Sequence, residues 1–400
     1  MGKSNARIDS GRKGLYTPSE RTDRLPITIG YGSLQHEDLS PLHNHILRAF
    51  GPDPDCLGLI VVKNLPPVFT ELRETALRAA ARFAHDVPPE IREKYTDHKS
   101  NYSFGWSHGK ELMNGKPDIL KGSYYANPTL DHKNVHEDTL NVHSTYLRSN
   151  IWPTEVDCPG FEKAYKALAS FMTEIGKRLA KACDHLVASH SNTVSIEKLI
   201  TTSHCSKARL LHYFPPSDHL VSIASESQEM GEGESGEDGQ DTWCGEHVDH
   251  SLLTALCPGM YLFHPVQTHS SKRLQPLIVP PPTSSAGLYI RTRAGQTIKA
   301  SIPSDCMAFQ TGEALQLLTQ NRLRATPHYV AACGTGPTLD STLHVIRKKV
   351  QADESWKNVT EGAVSRETMA VFLQPDISAV IGEDGESFGA FTERIVGSHY

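Results

Sequence analysis

Three absences bound what this 400-residue chain can be. No apolar run reaches the ~20 residues of a membrane-spanning helix. There is no basic excess, with 40 Lys and Arg against 46 Asp and Glu, so the electrostatic footprint of a nucleic-acid binder is missing. The eight cysteines never form C-x-x-C, which suits reduced thiols better than disulfides or a thiolate zinc site. The N-terminal residues have no signal-peptide core, and "MGKSNA" fails the myristoylation pattern because Ala6 stands where Ser or Thr is needed. "GKS" at Gly2–Ser4 lacks the earlier glycine of a phosphate loop. The expectation is a cytoplasmic, monomeric protein with a small-molecule partner, and neither membrane nor nucleic acid.

What is present divides the chain. Residues 1–24 are polar and read as a disordered tail. Residues 25–200 read as a helical, mixed region. "LPITIGYG" and "CLGLIVVKNL" are strand-like, and a helix follows with Thr70 as its expected cap and Leu72, Ala76, Ala80 and Phe83 on one face. Pro88 and Pro89 end it. A second helix is predicted over 161–188, with Phe161, Tyr165, Leu168, Met172, Ile175, Leu179 and Leu186 as its apolar stripe. Residues 96–150 read as largely irregular. In 201–400 short β-type runs recur, including "ARLLHYF", "CMAFQTG", "LRATPHYVAA", "TLHVIRKK" and "TMAVFLQ". Helices first and many short strands second predict an α+β, mainly β fold: a β-sandwich or jelly roll with the N-terminal helices packed against it. Seven acidic residues and no basic one fall in 225–242, which reads as a solvated loop insertion.

The stretch "GEHVDHSLLTAL" carries the chemistry. On an extended strand residues i and i+2 share a face, so His247 and Asp249 would point together and His250 away. H-x-D alone is a weak signal, commoner as a bland surface feature. Three other features strengthen it. His328 lies in the strand-like "LRATPHYV", and two imidazoles with one carboxylate make the ligand set of an open non-haem Fe(II) site rather than a closed zinc site. "GEALQLLTQNRLRATPH" reads as an apolar strand and turn leading into that histidine. "RETMAVFLQP" places Arg366 and Thr368 two apart, and an arginine fork can grip a carboxylate through two parallel hydrogen bonds.

Taken in this order, the motifs resemble the isopenicillin N synthase-like branch of the 2-oxoglutarate/Fe(II)-dependent dioxygenases, over nearly the whole chain. The family's H-x-D…H…R-x-S pattern falls on His247, Asp249, His328, Arg366 and Thr368, with Thr368 keeping the hydroxyl of the usual Ser. "GLYIRTRAGQTIKASIPSDCMAFQTGEALQLLTQNRLRATPHYV" is the closest stretch. The resemblance implies a double-stranded β-helix, Fe(II) on the two histidines and the aspartate, 2-oxoglutarate with its distal carboxylate on Arg366 and Thr368, O2 as oxidant, and ascorbate as reductant. The reaction implied is oxidation of a substrate C–H bond with release of succinate and CO2. The metal-binding Asp249 argues against a halogenating relative. The usual N-Y-Y-P appears here as "HYFP". His212 stands where Asn is common, and Phe214 stands where a tyrosine often contacts the cosubstrate, with Tyr213 expected on the opposite face.

Alternatives stay open at this level. Arg347 in "HVIRKK" competes with Arg366 for the cosubstrate. An oxidase of the same fold working without 2-oxoglutarate, or a non-catalytic metal-binding jelly roll, fits the same ligands. Cys244 and Cys257 flank the metal segment and read as core or loop residues, and His264, His269 and His344 as surface or supporting ones. The aromatic-rich stretch 101–127 reads first as packing over the barrel end and second as a substrate wall, with Tyr102, Phe104, Trp106 and Tyr125 as candidates. Lys110 and Lys121 are candidates to meet an anionic substrate. The substrate itself is set by loops that fold-level resemblance does not fix.

Overall fold

The computed structural model describes residues 25–110, 112–113, 116–131, 145–187, 195–215, 221–223, 242–266, 273–332, 338–382 and 384–396. The tail expected over 1–24 lies outside them, as does all of the acidic segment 225–242 except Thr242.

Strand β1 (Ile27–Gly30), helix α1 (His43–Phe50) and strand β2 (Leu59–Lys63) open the chain, with β1 and β2 paired in parallel. Helices α2 (Val68–Asp86) and α3 (Pro89–Arg92) follow, then β3 (Gly105–His108), the two-residue strands β4 (Leu112–Met113) and β5 (Lys116–Pro117), and β6 (Lys121–Ala126). The long helix α4 (Phe161–Val187) and short α5 (Ile196–Thr201) precede the strand-rich half. That half comprises β7 (Lys207–Tyr213), β8 (Val221–Ser222), β9 (Thr242–His247), β10 (Leu253–Leu256), β11 (Met260–Pro265), β12 (Leu277–Val279), β13 (Gly287–Arg291), β14 (Thr297–Ala300), β15 (Met307–Thr311), α6 (Glu313–Leu318), β16 (His328–Ala331), α7 (Asp340–Ala352), β17 (Glu361–Leu373) and α8 (Phe388–Val396).

The large sheet runs β1-β2-β15-β10-β17-β7-β6-β3, with β11 and β8 added along β17. A smaller sheet runs β14-β13-β16-β9. The two pack on each other. Leu211 and Tyr213 of the large sheet share a buried cluster with Trp243 and Val330 of the small one, and Leu59 and Ala308 share another with Ile290. The opposite face of the large sheet lies against α2 and α4. Met369, Val371 and Leu373 of β17 join Ala76, Phe83, Tyr165 and Leu168 there. The two-residue alternation of β17 therefore turns Met369 and Val371 toward the helices and Val364, Arg366, Thr368 and Ala370 toward the small sheet.

The predicted helix over 161–188 is α4, and its stripe is buried except Leu186, which packs at the edge. Several local expectations are corrected. Helix α2 begins at Val68 and its N-cap is Pro67, so Thr70 is inside the first turn and caps nothing. The Pro66–Pro67 pair fixes φ at the helical value and starts the helix earlier than a side-chain cap would. The stretch 96–150 is not wholly irregular, because β3 and β6 extend the large sheet beside β7. There Phe104 and Trp106 are buried core rather than a substrate wall, while Tyr102 and Tyr125 are half-buried; the neighbouring Tyr124 meets Phe83 edge-on, with ring centres 5.2 Å apart. "TLHVIRKK" is helical, within α7: Thr342 and Ile346, four apart, are its buried positions, and Asp340 and Lys349 suit the two ends of its dipole. "GEALQLL" is also helical, as α6, rather than a strand.

Candidate metal centre

Strand β9 stops at His247, so Asp249 stands in the turn beyond it and not on an extended strand as expected. The turn is held by α6: Glu313 N donates to Asp249 O at 2.8 Å, and Gly312 N to Leu252 O at 3.2 Å. Gly312 has to be glycine, because a Cβ there would lie 2.1 Å from Ser251 O. His328 opens β16 directly across from His247 in the register of the small sheet. The result brings the three predicted residues together, with one ligand atom from each of His247, Asp249 and His328 within 4.8 Å of the others. Asp249 Oδ1 lies 3.7 Å from His247 Nε2 and 3.8 Å from His328 Nε2.

Backbone carbonyls orient the two rings. Nδ1 of His247 is 2.8 Å from Gly245 O, and Nδ1 of His328 is 3.1 Å from Thr326 O. A carbonyl only accepts, so each Nδ1 carries a proton, and Nε2 of each ring faces Asp249. Asp249 and His328 are each 6% exposed, whereas the His247 side chain is 40% exposed and marks the open side of the site. Burial pushes His328 down toward its neutral form. For Asp249 burial works against the charge, but the imidazoles of His328 and His247 outweigh it and hold the carboxyl below its ordinary range. Asp249 Oδ2 is buried and meets no hydrogen-bond donor among the described residues. Two imidazoles, one carboxylate and an open side are a donor set that fits a divalent metal with free coordination positions.

His250 turns away, as expected, with Nδ1 2.9 Å from Glu313 Oε2. Cys244 is half-buried, 3.8 Å from His247 Nδ1, on the protonated side of that ring rather than the ligating side. Burial pushes its thiol up, but His247, Lys121 and Arg209 more than reverse this and bring it to about 7. Cys257 is buried core.

Deeper between the sheets lies Arg366, 7% exposed, with Nε and Nη1 lacking hydrogen-bond partners among the described residues. Tyr213 lies beneath it, with Cζ 5.1 Å from the ring centre. Tyr213, not Phe214, thus supplies the ring on the Arg366 face, since β7 and β17 pair Tyr213 with Arg366; Phe214 instead lies tilted against His108, with ring centres 4.7 Å apart. The hydroxyl of Thr368 donates to Cys257 O at 2.7 Å. Arg347 is elsewhere, on α7, where its Nε donates to Ile223 O at 3.4 Å. Sequence reasoning also missed Arg73. It is 6% exposed on α2 and donates to Pro258 O and Gly259 O, clamping the turn against Arg366. A charged residue on the apolar face of an Ala-rich helix was its visible signal.

On the far face of β17 a second polar chain is buried. Glu367 accepts from His212 Nδ1 at 2.9 Å and from Ser365 Oγ at 2.6 Å, and Ser365 meets His264 Nε2 at 2.8 Å. His264 is therefore a buried network member, stacked on His85. His269 lies outside the described residues, and His344 is exposed. Lys110 pairs with Glu93 at 3.0 Å, and Lys121 with Asp118 at 2.8 Å.

This fold is that of the 2-oxoglutarate/Fe(II) oxygenases. A full-length protein from Neurospora crassa, solved in complex with alpha-KG, is similar at 17% identity, over 94% of this chain and 98% of that one, with a TM-score of 0.58. A Caulobacter crescentus protein described as a 2OG-Fe(II) oxygenase family member gives 16%, 93%, 99% and 0.58. JOX2 in complex with 2OG, Fe and JA gives 13%, 93%, 88% and 0.57. No family model and no curated protein sequence matches this chain.

Proposed function

We propose that this protein is a non-haem Fe(II)- and 2-oxoglutarate-dependent oxidoreductase that hydroxylates or otherwise oxidises a C–H bond of a small organic substrate. The observation that carries this is the convergence of two imidazole Nε2 atoms on Asp249 Oδ1, with a buried Arg366 deeper between the same two sheets. His247, Asp249 and His328 would hold the iron. Arg366, backed by Tyr213, and Thr368 would hold the distal carboxylate of 2-oxoglutarate. Iron, 2-oxoglutarate and O2 bound there would supply oxidation of an unactivated C–H bond, with succinate and CO2 as co-products and ascorbate keeping the metal reduced.

The chain's own part is positional. Gly245 O and Thr326 O fix the orientation of the two rings, so that Nε2 of each faces Asp249. Buried Asp249 is held ionised and supplies one negative charge to the centre. Tyr213, Trp243, Tyr261 and Val330 form a buried apolar cluster between the sheets beside the site. The two packed sheets support a double-stranded β-helix over 201–400, with 25–200 as its helical, mixed partner region. The Neurospora crassa protein has also been solved with thymine and with 5-formyluracil, which agrees with a small-molecule substrate here.

The test is succinate formation by purified protein with Fe(II), ascorbate and 2-oxoglutarate. Slow uncoupled turnover is expected, lost in His247→Ala and in Asp249→Ala. Turnover that survives both substitutions would sink the proposal, and metal binding without any oxygen consumption would favour a non-catalytic binding protein. A screen for products 16 mass units heavier, with cell extract and cosubstrate, would then find the substrate.

A further inference from the structure

Arg293 sits at the tip of the hairpin that joins β13 to β14, in the turn 292–296 that Thr292 N closes on Gln296 O at 2.8 Å. An arginine on such a turn ordinarily reaches into water. This one is half-buried and folds back along the segment that leads into His328. Its guanidinium meets four oxygens, none of them a carboxylate. Nη1 donates to Thr326 Oγ1 at 3.1 Å and Cys56 O at 3.3 Å, and Nη2 donates to Arg324 O at 2.6 Å and Phe50 O at 3.3 Å. Two stretches far apart in sequence are thereby tied together: the loop between α1 and β2, and the approach to the distal histidine.

That approach is fixed from several sides. Arg324 N donates to Phe50 O at 2.8 Å, Arg291 N to Pro327 O at 2.9 Å, and Thr311 Oγ1 to Arg324 O at 2.6 Å. Thr326 is 1% exposed. Gly58, at φ +65°, presses on it, since a Cβ there would lie 1.7 Å from Thr326 Oγ1. The Thr326 hydroxyl is thus held between the Gly58 backbone and the Arg293 fork. The same residue's carbonyl holds His328 Nδ1 at 3.1 Å. Hydroxyl and carbonyl share one residue, so freeing the first moves the acceptor that orients the ring. The hairpin itself adjoins the ligand, because Ile290 of β13 pairs with His328 in register.

We propose that Arg293 is a positioning residue for the metal centre, acting through Thr326 to keep His328 Nε2 aimed at Asp249. This rests on the metal-site reading above. A guanidinium suits the task. Its N–H groups lie in one rigid plane, so a single side chain holds two chain segments at a set separation, which a flexible ammonium does not. The orientation of a ligand ring is thereby made to depend on the α1–β2 loop, which carries no ligand.

The experiment compares full-length wild type, Arg293→Met, Thr326→Val and the double variant. Co(II) titration is followed by the d–d band, and solvent exchange of the His328 Nδ1 proton by NMR on the metal-free protein. Losing the direct partner of a metal-bound histidine costs about 10–100-fold in affinity. The Thr326 carbonyl survives in every variant, so Arg293→Met should lose less, about three- to tenfold, with an altered band and a ring proton that exchanges about tenfold or more faster. Thr326→Val should alter band and exchange in the same direction. The double variant should be no worse than Arg293→Met, because both changes cut one connection. Wild-type affinity and band in folded Arg293→Met, even with a lowered denaturation midpoint, would overturn the proposal, as would losses that multiply in the double variant. Should Arg293→Met fail to fold, Thr326→Val decides alone, and an unchanged band and exchange rate there would overturn it. Failure of wild type to bind Co(II) would sink the metal reading instead, and the ring-proton exchange would still decide the role of Arg293.

Discussion

The aromatic ring of Tyr213 underlies the guanidinium of Arg366, 5.1 Å from ring centre to Cζ, and Gly259 closes the other side: a Cβ at that position would sit 2.8 Å from Arg366 Nε. The arginine is thus wedged into one orientation by a ring and by a missing side chain. Gly259→Ala should displace it. We expect 2-oxoglutarate to bind about tenfold or more weakly in this variant, with metal affinity unchanged. Arg347→Ala, changed on its outer helix, should bind 2-oxoglutarate normally. Titration of the Fe(II)–2-oxoglutarate band measures both, and the opposite ranking would return Arg347 to candidacy.

Removing a ligand should differ sharply from removing its neighbour. Asp249→Ala and His328→Ala should each lose Co(II) binding by at least about tenfold, read from the cobalt d–d spectrum, because they delete donor atoms. His250→Ala should bind Co(II) like wild type, since its ring is engaged with Glu313 on the other side of the turn. A cobalt spectrum that changes with His250 and not with His328 would refute the assignment.

The buried chain behind β17 predicts an acid limit to stability. Burial, aided by His85 and His212, pushes His264 down to about 2 from an ordinary value of 6.5. The unfolded chain therefore takes up a proton near 6.5 that the folded chain refuses. Stability is fully present above pH 6.5 and falls as pH drops toward 2, by up to about 1.4 kcal/mol per pH unit from this group. His264→Gln should flatten that slope in denaturant titrations between pH 6.5 and 4.5. A slope identical to wild type would mean that His264 takes up its proton without penalty.

Arg73 predicts a stability loss remote from the metal ligands. Arg73→Met keeps the stem but strands the carbonyls of Pro258 and Gly259. A cost of about 3 kcal/mol is expected for removing two charge-assisted hydrogen bonds, one buried and one part-buried. The accompanying loss of 2-oxoglutarate affinity should exceed any loss of metal affinity, because the freed turn packs on Arg366. Denaturant midpoints and the two binding titrations separate these effects.

The clustering of His247, Asp249 and His328 and the inward-facing arginine strand were legible because their signals are local: H-x-D before an apolar run, a histidine opening a β-type stretch, and an arginine and threonine two apart. The stripe of α4 was legible for the same reason. What escaped depends on partners far away in sequence. Whether Tyr213 or Phe214 faces Arg366 is decided by how β7 registers on β17, which no short motif encodes. Strands β3 and β6 look irregular until β7 is beside them. In α7 the β-branched Thr342, Val345 and Ile346 imitate a strand, and only the packing of the four-spaced pair Thr342 and Ile346 decides for a helix.

The close approach at Gly312 has a consequence for how the ligand loop moves. With Glu313 N bonded to Asp249 O and no room for a methyl group between Gly312 and Ser251, the carboxylate-bearing turn and the first turn of α6 form one mechanical unit. The aspartate cannot loosen unless that helix start loosens too, so its rigidity is borrowed from a segment that carries no donor atom itself.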